Sequence, residues 1–164
     1  MAITNTPTEQ IVRIVSAQRA FFRSGQTLDI EYRLSALRAL KAALKKWEKP
    51  LAEALWKDLH KSYEEAYLTE LSIVLGEIDN HISHLKGWAS PKRCSTPLKM
   101  FPSRSKTISE PLGCSLIIAP WNYPVQLLLN PLVGAISAGC TAILQPSPYV
   151  ESDSQVIAEL IRET

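Results

Sequence analysis

The sequence predicts an α/β fold in which a helical N-terminal preamble is followed by the first β-α-β-α portion of a doubly wound parallel sheet. Three observations carry that prediction. Over the first half of the chain, leucines and isoleucines recur at steps of three and four, the spacing that lines one face of a helix. From Pro111 to Val150 there is no Asp, Glu, Lys or Arg, yet prolines and glycines cut this run into short pieces. The closing segment ESDSQVIAELIRE begins with acids and continues with apolar residues at helical spacing.

The first helix is expected to start at Thr6-Pro7-Thr8-Glu9. Thr6 can cap, Pro7 fits the first helical position without losing a needed N–H, and Glu9 can reach back as in a capping box. It should run to about Ser24, where Gly25 supplies the stop. A second helix places Leu34, Leu37, Leu40, Leu44 and Trp47 on one face and Arg38, Lys41 and Lys45 on the other. Pro50 is expected to close it and to open a third helix with Leu51, Leu55 and Leu59. The fourth is the most regular, with Leu68, Leu71, Leu75, Ile78, Ile82 and Leu85 alternating spacings of three and four. A coiled coil needs a longer repeat with organised flanking charges, so this stripe reads as packing within a globular domain. Between Pro91 and Glu110, Pro97 and Pro102 punctuate LKMF and SKTIS, which reads as an extended, hairpin-like arm.

In the uncharged run, CSLIIA reads as a short strand apolar on both faces, PVQLLLNPLVGAISAG as a helix and TAILQ as a second buried strand. Strands without polar alternation belong inside parallel sheets. Pro124 suits the helix start and Gly139 the left-handed stop. The acids at the start of the final helix complement its dipole. Ligands of such sheets bind beyond the carboxyl ends of the strands, where APWNYP and QPSP fall. No G-x-G-x-x-G follows the first strand, so a pyrophosphate held at that turn is not expected.

Several function classes are disfavoured. A membrane helix needs about 20 consecutive apolar residues, and Pro120, Pro124, Pro131, Pro146 and Pro148 leave only shorter pieces. A net charge of +2 points to no nucleic-acid partner, and the scattered cations from Lys86 to Lys106 do not make a phosphate patch. Cys94, Cys114 and Cys140 are far apart with no C-x-x-C, so neither a disulfide framework nor a zinc site is expected. His60, His81 and His84 lack an acidic surround and read as solvent-facing, so no metal is expected. The opening MAITNTPTEQ shows no secretory leader, and unpaired thiols suit a reducing cytoplasm.

The run EPLGCSLIIAPWNYPVQLLLNPLVGAISAGCTAILQPSP closely resembles the aldehyde dehydrogenase superfamily, and its wording looks most like the class 3 branch. The preamble and the arm ending in SEPLG are similar too, so the whole chain aligns in character with the N-terminal third of such an enzyme. The motif P-W-N-[YF]-P after a buried strand carries most of the specificity. The resemblance implies an incomplete aldehyde dehydrogenase fold, divided into a helical segment (1–88), an extended arm (89–110) and the start of a dinucleotide-binding α/β domain (111–164).

It also implies a chemistry. In this family a cysteine thiolate attacks the aldehyde, and the thiohemiacetal oxygen becomes negative as the bond forms. The asparagine matching Asn122 would donate its side-chain N–H₂ to that oxygen. Pro120 and Pro124 would stiffen the corner that carries it. The competing expectation is that Asn122 caps the following helix. Ile118, Ala119, Pro120 and Trp121 would border the nicotinamide-ribose side of NAD or NADP. The family's K-P-[SA]-E at the next strand end is here Gln145-Pro146-Ser147-Pro148. Gln145 and Ser147 are the candidates left for the adenosine ribose, since Gln145 is neutral and Pro148 offers no side-chain acceptor. The family's nucleophilic cysteine and activating glutamate match nothing in the chain. Two functions are therefore open: the N-terminal part of an NAD(P)-dependent aldehyde dehydrogenase, inactive alone, or a non-catalytic binding or assembly protein derived from one. A homodimer or self-association is the expected partner state, with an aldehyde as substrate of the complete enzyme.

Overall fold

The computed structural model describes residues 6–164; residues 1–5, which begin the stretch judged for a leader, lie outside the described residues. Helix α1 spans Thr8–Arg23 and ends at Gly25, whose φ of 77° is left-handed. The Thr6 capping box is not made. Pro7 adopts φ −57° and ψ 141°, becomes the flanking residue itself, and no side chain caps the helix. Its carbonyl accepts from Ile11 N at 3.1 Å, so Thr6 sits one position too far out to reach the first free N–H groups.

Helix α2 (Ile30–Lys46) is capped by Asp29, which accepts from Glu31 N at 3.1 Å, and it buries Leu34, Leu37, Leu40 and Leu44 as the spacing requires. Pro50 does not mark a break. It lies in the first turn of α3 (Glu48–Leu59), where an N–H has no acceptor within the helix, and the interruption falls at Trp47.

The regular fourth segment is two helices, α4 (Tyr63–Ala66) and α5 (Ser72–Ala89), joined by a π-helical turn over Tyr67–Leu71. A π turn takes up an extra residue, which rotates the stripe. Leu68 is consequently 65% exposed, whereas Leu71, Val74, Ile78 and Leu85 are buried. The same rotation turns Glu70 inward until none of it is exposed.

Strands β1 (Lys92–Cys94) and β2 (Ser105–Thr107) form an antiparallel hairpin. Strands β3 (Cys114–Ile118) and β4 (Thr141–Gln145) pair in parallel, in register from Cys114↔Thr141 to Ile118↔Gln145. Helix α6 (Pro124–Ala138) is the crossover, starting on Pro124 and ending on Gly139 at φ 84°, and α7 (Glu151–Glu163) follows β4. Burial on both faces fails for β3. Ile117 is buried, but Leu116 and Ile118 are 60% and 65% exposed, so the face that carries them is open. Among the described residues no helix is long and apolar enough to cross a membrane.

One apolar core joins the two parts. Leu37, Leu44 and Leu55 of the preamble pack with Val125, Leu128 and Leu129 of α6 and with Ile157 and Leu160 of α7. Each such buried side chain contributes about 1.5–3 kcal/mol relative to exposure. The β-α-β unit thus rests on the helical layer, and that layer reaches the strand ends with polar side chains as well as apolar ones.

Candidate active site

The parallel register puts the residues after Ile118 and after Gln145 at one edge of the sheet. Ala119 N donates to the Gln145 carbonyl at 3.1 Å, extending the pairing to the loop that follows. Ala119 is buried; Pro120, Trp121, Asn122 and Tyr123 then emerge as exposed residues before Pro124 re-enters the interior. The corner is short because both ends are fixed, one by strand pairing and the other by a helix that begins on proline. Asn122 does not cap α6. Tyr123 is the flanking residue and no side-chain cap bond is made locally, so the Asn122 carboxamide stands exposed with no partner among the described residues.

The missing cap is supplied from far away. Glu70 Oε2 accepts from Val125 N at 2.8 Å and from Gln126 N at 3.3 Å, the free N–H groups of the first turn of α6. Its other oxygen accepts from Lys61 Nζ at 2.6 Å. Lys61 also donates to the Asn122 carbonyl oxygen at 2.8 Å and lies 4.0 Å from the centroid of the Tyr123 ring. Both members of the pair are buried, Lys61 at 7% exposure and Glu70 at 0%. A carboxylate at a helix N-terminus complements the partial positive charge there.

Helix α7 is treated in the same way. Asp58 Oδ2, on α3, accepts from Asp153 N at 2.9 Å in the first turn of α7. The Asp153 side chain itself is fully buried and neither of its oxygens has a partner. Burial first, and then the nearby Glu70 and Asp58 charges, push its carboxyl up to about 8, with Lys61 opposing. Asp153 is therefore protonated at neutral pH and does not supply the dipole-complementing charge expected of it; Glu151 is the first-turn acid that faces solvent.

This proton has a consequence for stability. The folded chain holds it while the unfolded chain, at the ordinary aspartate value of 3.8, releases it, so stability falls as pH rises between about 4 and about 8 and levels off above. Asp153→Asn, neutral at every pH, is expected to remove that decline, and its urea midpoint should exceed the parent's above pH 8. Parallel midpoint-against-pH curves for the two proteins would contradict the assignment.

Gln145 is exposed at the end of β4. Ser147 is buried at 4% exposure, with its hydroxyl facing Tyr149 N at 3.4 Å and its carbonyl accepting from Ser154 Oγ at 3.0 Å. It is committed to the turn that starts α7. Ile118, Pro120 and Trp121 present an open surface beside Asn122, whereas Ala119 contributes backbone alone.

The cysteines lie elsewhere. Cys114 opens β3 and Cys140 immediately precedes β4, at the amino ends of strands whose carboxyl ends carry Asn122. A five-residue strand separates them from it by roughly 15 Å. Cys94 belongs to the hairpin. His81, expected to face solvent, is instead part-buried on α5, where it bonds Glu77 at 3.0 Å and meets Trp88 edge-on, while His84 stacks on the same Trp88 ring. The sequence reading missed Lys61, Glu70 and Asp58 and misread Asp153 as a charged helix-start acid; the one signal available was an acid, Glu70, inside an apolar helical stripe.

The sequence profile described as "Aldehyde dehydrogenase family" matches residues 1–164. A 4,4'-diaponeurosporen-aldehyde dehydrogenase of Staphylococcus aureus is 47% identical over 146 residues, 89% of this chain and 32% of the relative. Aldehyde dehydrogenase family 3 member A2 of Rattus norvegicus is 40% identical over 91% of this chain and 31% of its own length. Among solved structures, Staphylococcus aureus AldH in a substrate-bound state superposes with a TM-score of 0.91 at 43% identity, covering 98% of this chain and 34% of that one. A Streptococcus pyogenes succinic semialdehyde dehydrogenase in complex with NADP+ shares the fold, with a TM-score of 0.85 at 17% identity, over 99% of this chain and 35% of its own. The chain spans about a third of the length of the relatives it matches.

Proposed function

The chain belongs to the aldehyde dehydrogenase family, and from that premise we propose that it forms the N-terminal part of an enzyme that oxidises an aldehyde to its carboxylic acid with NAD or NADP. Its own catalytic contribution is Asn122. As a nucleophile elsewhere in the whole enzyme adds to the aldehyde carbonyl, the Asn122 carboxamide donates a hydrogen bond to the oxygen that gains charge. A donor already aimed at that oxygen needs no reorganisation when the charge appears. The observation that supports the reading best is the exposed carboxamide, uncommitted to its helix, on a corner fixed by strand pairing at one side and the α6 start at the other.

A nicotinamide cofactor, NAD or NADP, would supply the hydride acceptor for this oxidation. Ile118, Ala119, Pro120 and Trp121 would line its nicotinamide-ribose side, where the surface is open. The adenosine side fits less well: Gln145 can hydrogen-bond a ribose hydroxyl through its amide, but the Ser147 hydroxyl is buried in its turn and Pro148 has no side-chain acceptor. Gln145 is thus the main side chain for that subsite. By itself the chain has no cysteine at the sheet edge beside Asn122, and we expect it to be inactive alone. The test is a chimera in which it replaces the matching N-terminal segment of the Staphylococcus aureus relative. The reading requires aldehyde-dependent NADH or NADPH formation by the chimera and none by the chain alone.

The alternative assembly role draws on exposed apolar surface. Leu98, Phe101 and Leu112 are 94%, 86% and 101% exposed, and Leu116 and Ile118 lie open on β3. An open strand face with an unpaired edge is an interaction site or an aggregation hazard. Self-association of the isolated chain, as a dimer or larger, is the expected result by light scattering; a monodisperse monomer at tens of micromolar (~10–50 μM, where edges of this kind pair) would contradict it.

A further inference from the structure

We propose that Lys61 is a positioning residue for Asn122, acting from beneath the corner through the Asn122 carbonyl while Glu70 anchors the helix that follows. The inference rests on the oxyanion reading of Asn122 for its catalytic meaning, but its physical basis is independent of that reading.

Asn122 is attached to the protein through its backbone alone, because its side chain has no partner among the described residues. Where the carboxamide points is therefore set by what holds residues 121–124. Strand pairing ends at Ala119, and the helical ladder begins with Leu127 N donating to the Tyr123 carbonyl at 2.9 Å. In between, the Asn122 carbonyl has one donor among the described residues, Lys61 Nζ. That ammonium is fixed on three sides: by Glu70 Oε1 at 2.6 Å, by the Asn122 oxygen at 2.8 Å and by the Tyr123 ring at 4.0 Å. A lysine has three N–H donors, and two are spent on these oxygens while the ring face takes up the cation. Glu70 divides its two oxygens between Lys61 and the α6 amides, so one buried ion pair sets both the carbonyl of Asn122 and the first turn that begins two residues later.

A purely structural explanation is that Lys61 neutralises the buried Glu70, since an unpaired buried charge is expensive. That role needs no bond to Asn122. The second bond is what makes Lys61 specific to the corner. Asp58 and Asp153 are the other acids near this group; Asp58 is engaged with α7 and Asp153 is protonated at neutral pH, so neither competes for the ammonium there.

The test pairs hydrogen exchange with kinetics. Exchange is read by mass spectrometry on peptides covering 119–127, with peptides of α2 and α5 as internal references, in the parent chain, Lys61→Met, Lys61→Arg and the double variant Lys61→Met/Glu70→Gln. The double variant leaves no unpaired charge and so keeps the test meaningful if Lys61→Met alone fails to fold. Positioning predicts exchange over 119–127 faster by about tenfold or more in the double variant, with the α2 and α5 peptides within about twofold of the parent. In the chimera, Lys61→Met should lower kcat by about tenfold with KM nearly unchanged, as misplacement of a reacting group does, and Lys61→Arg should recover part of the loss. An unchanged 119–127 segment, or acceleration shared equally by the whole chain, overturns the positioning role. If Asn122→Ala costs the chimera no kcat, the oxyanion reading fails instead, and local exchange alone then decides what Lys61 does.

Discussion

Gly139→Ala is expected to destabilise the chain by about 3 kcal/mol, while Gly87→Ala is expected to be neutral or mildly stabilising. Gly139 ends α6 at φ 84°, a left-handed conformation that costs a residue with a Cβ about 1–2 kcal/mol. A second cost comes from space. A Cβ at this position would lie 2.6 Å from Arg33 Nη2, 2.7 Å from Cζ and 2.9 Å from Nε. An arginine normally swings aside, but this one is pinned: it donates to the carbonyls of Thr27, Leu28 and Ser137, the last two at 3.2 Å each. Moving it breaks buried hydrogen bonds from a charged group, each worth about 1.5–3 kcal/mol. Gly87 lies within α5, has an ordinary φ and would meet nothing within 4 Å, so its replacement removes only backbone freedom, a gain of about 0.4–1 kcal/mol. Urea unfolding followed by tryptophan fluorescence separates the two. Equal midpoints for Gly139→Ala and the parent would mean that Arg33 does not hold the preamble to the end of α6.

Local rules found the punctuation of this chain and missed its long-range polar links. Gly25 and Gly139 stop their helices, Pro124 starts one, and the two apolar segments around PWNYP pair in parallel, because each of these choices is decided within a few residues. The class 3 resemblance was legible for the same reason, in one contiguous motif. Thr6 went astray by one position and Pro50 by three, since a proline is equally at home just before a helix and inside its first turn. The fourth stripe failed more instructively. A strict three-four count assumes α geometry throughout, and the π turn at Tyr67–Leu71 exposes Leu68 and buries Glu70 instead. Nothing local announces that Glu70 caps a helix 55 positions later, or that Asp58 caps one 95 positions later. Such caps are satisfied by folding, so the sequence near each helix start shows only a missing local partner. The burial expected on both faces of β3 failed because one face is open.

The largest effect on chemistry is expected at Asn122. Alanine there removes one preorganised donor without touching the strand pairing, the proline start or the Glu70 cap, all of which are made by backbone atoms or other residues. Loss of a single oxyanion donor typically costs about 10²–10³ in kcat, equivalent to roughly 3–4 kcal/mol. KM should change little, because an interaction made mainly as charge develops is absent from the ground state. Asn122→Asp keeps the shape but replaces the donor with acceptor oxygens, and it should lose at least as much.

The central claim is that this carboxamide, held on its corner by the helical layer beneath, meets the charge that an aldehyde oxygen acquires. The most direct measurement is kcat and KM of the chimera carrying Asn122→Ala beside the parent chimera, with circular dichroism confirming equal folding. The account predicts kcat lowered by about 10²–10³ at nearly constant KM; an unchanged kcat in a folded variant would contradict it.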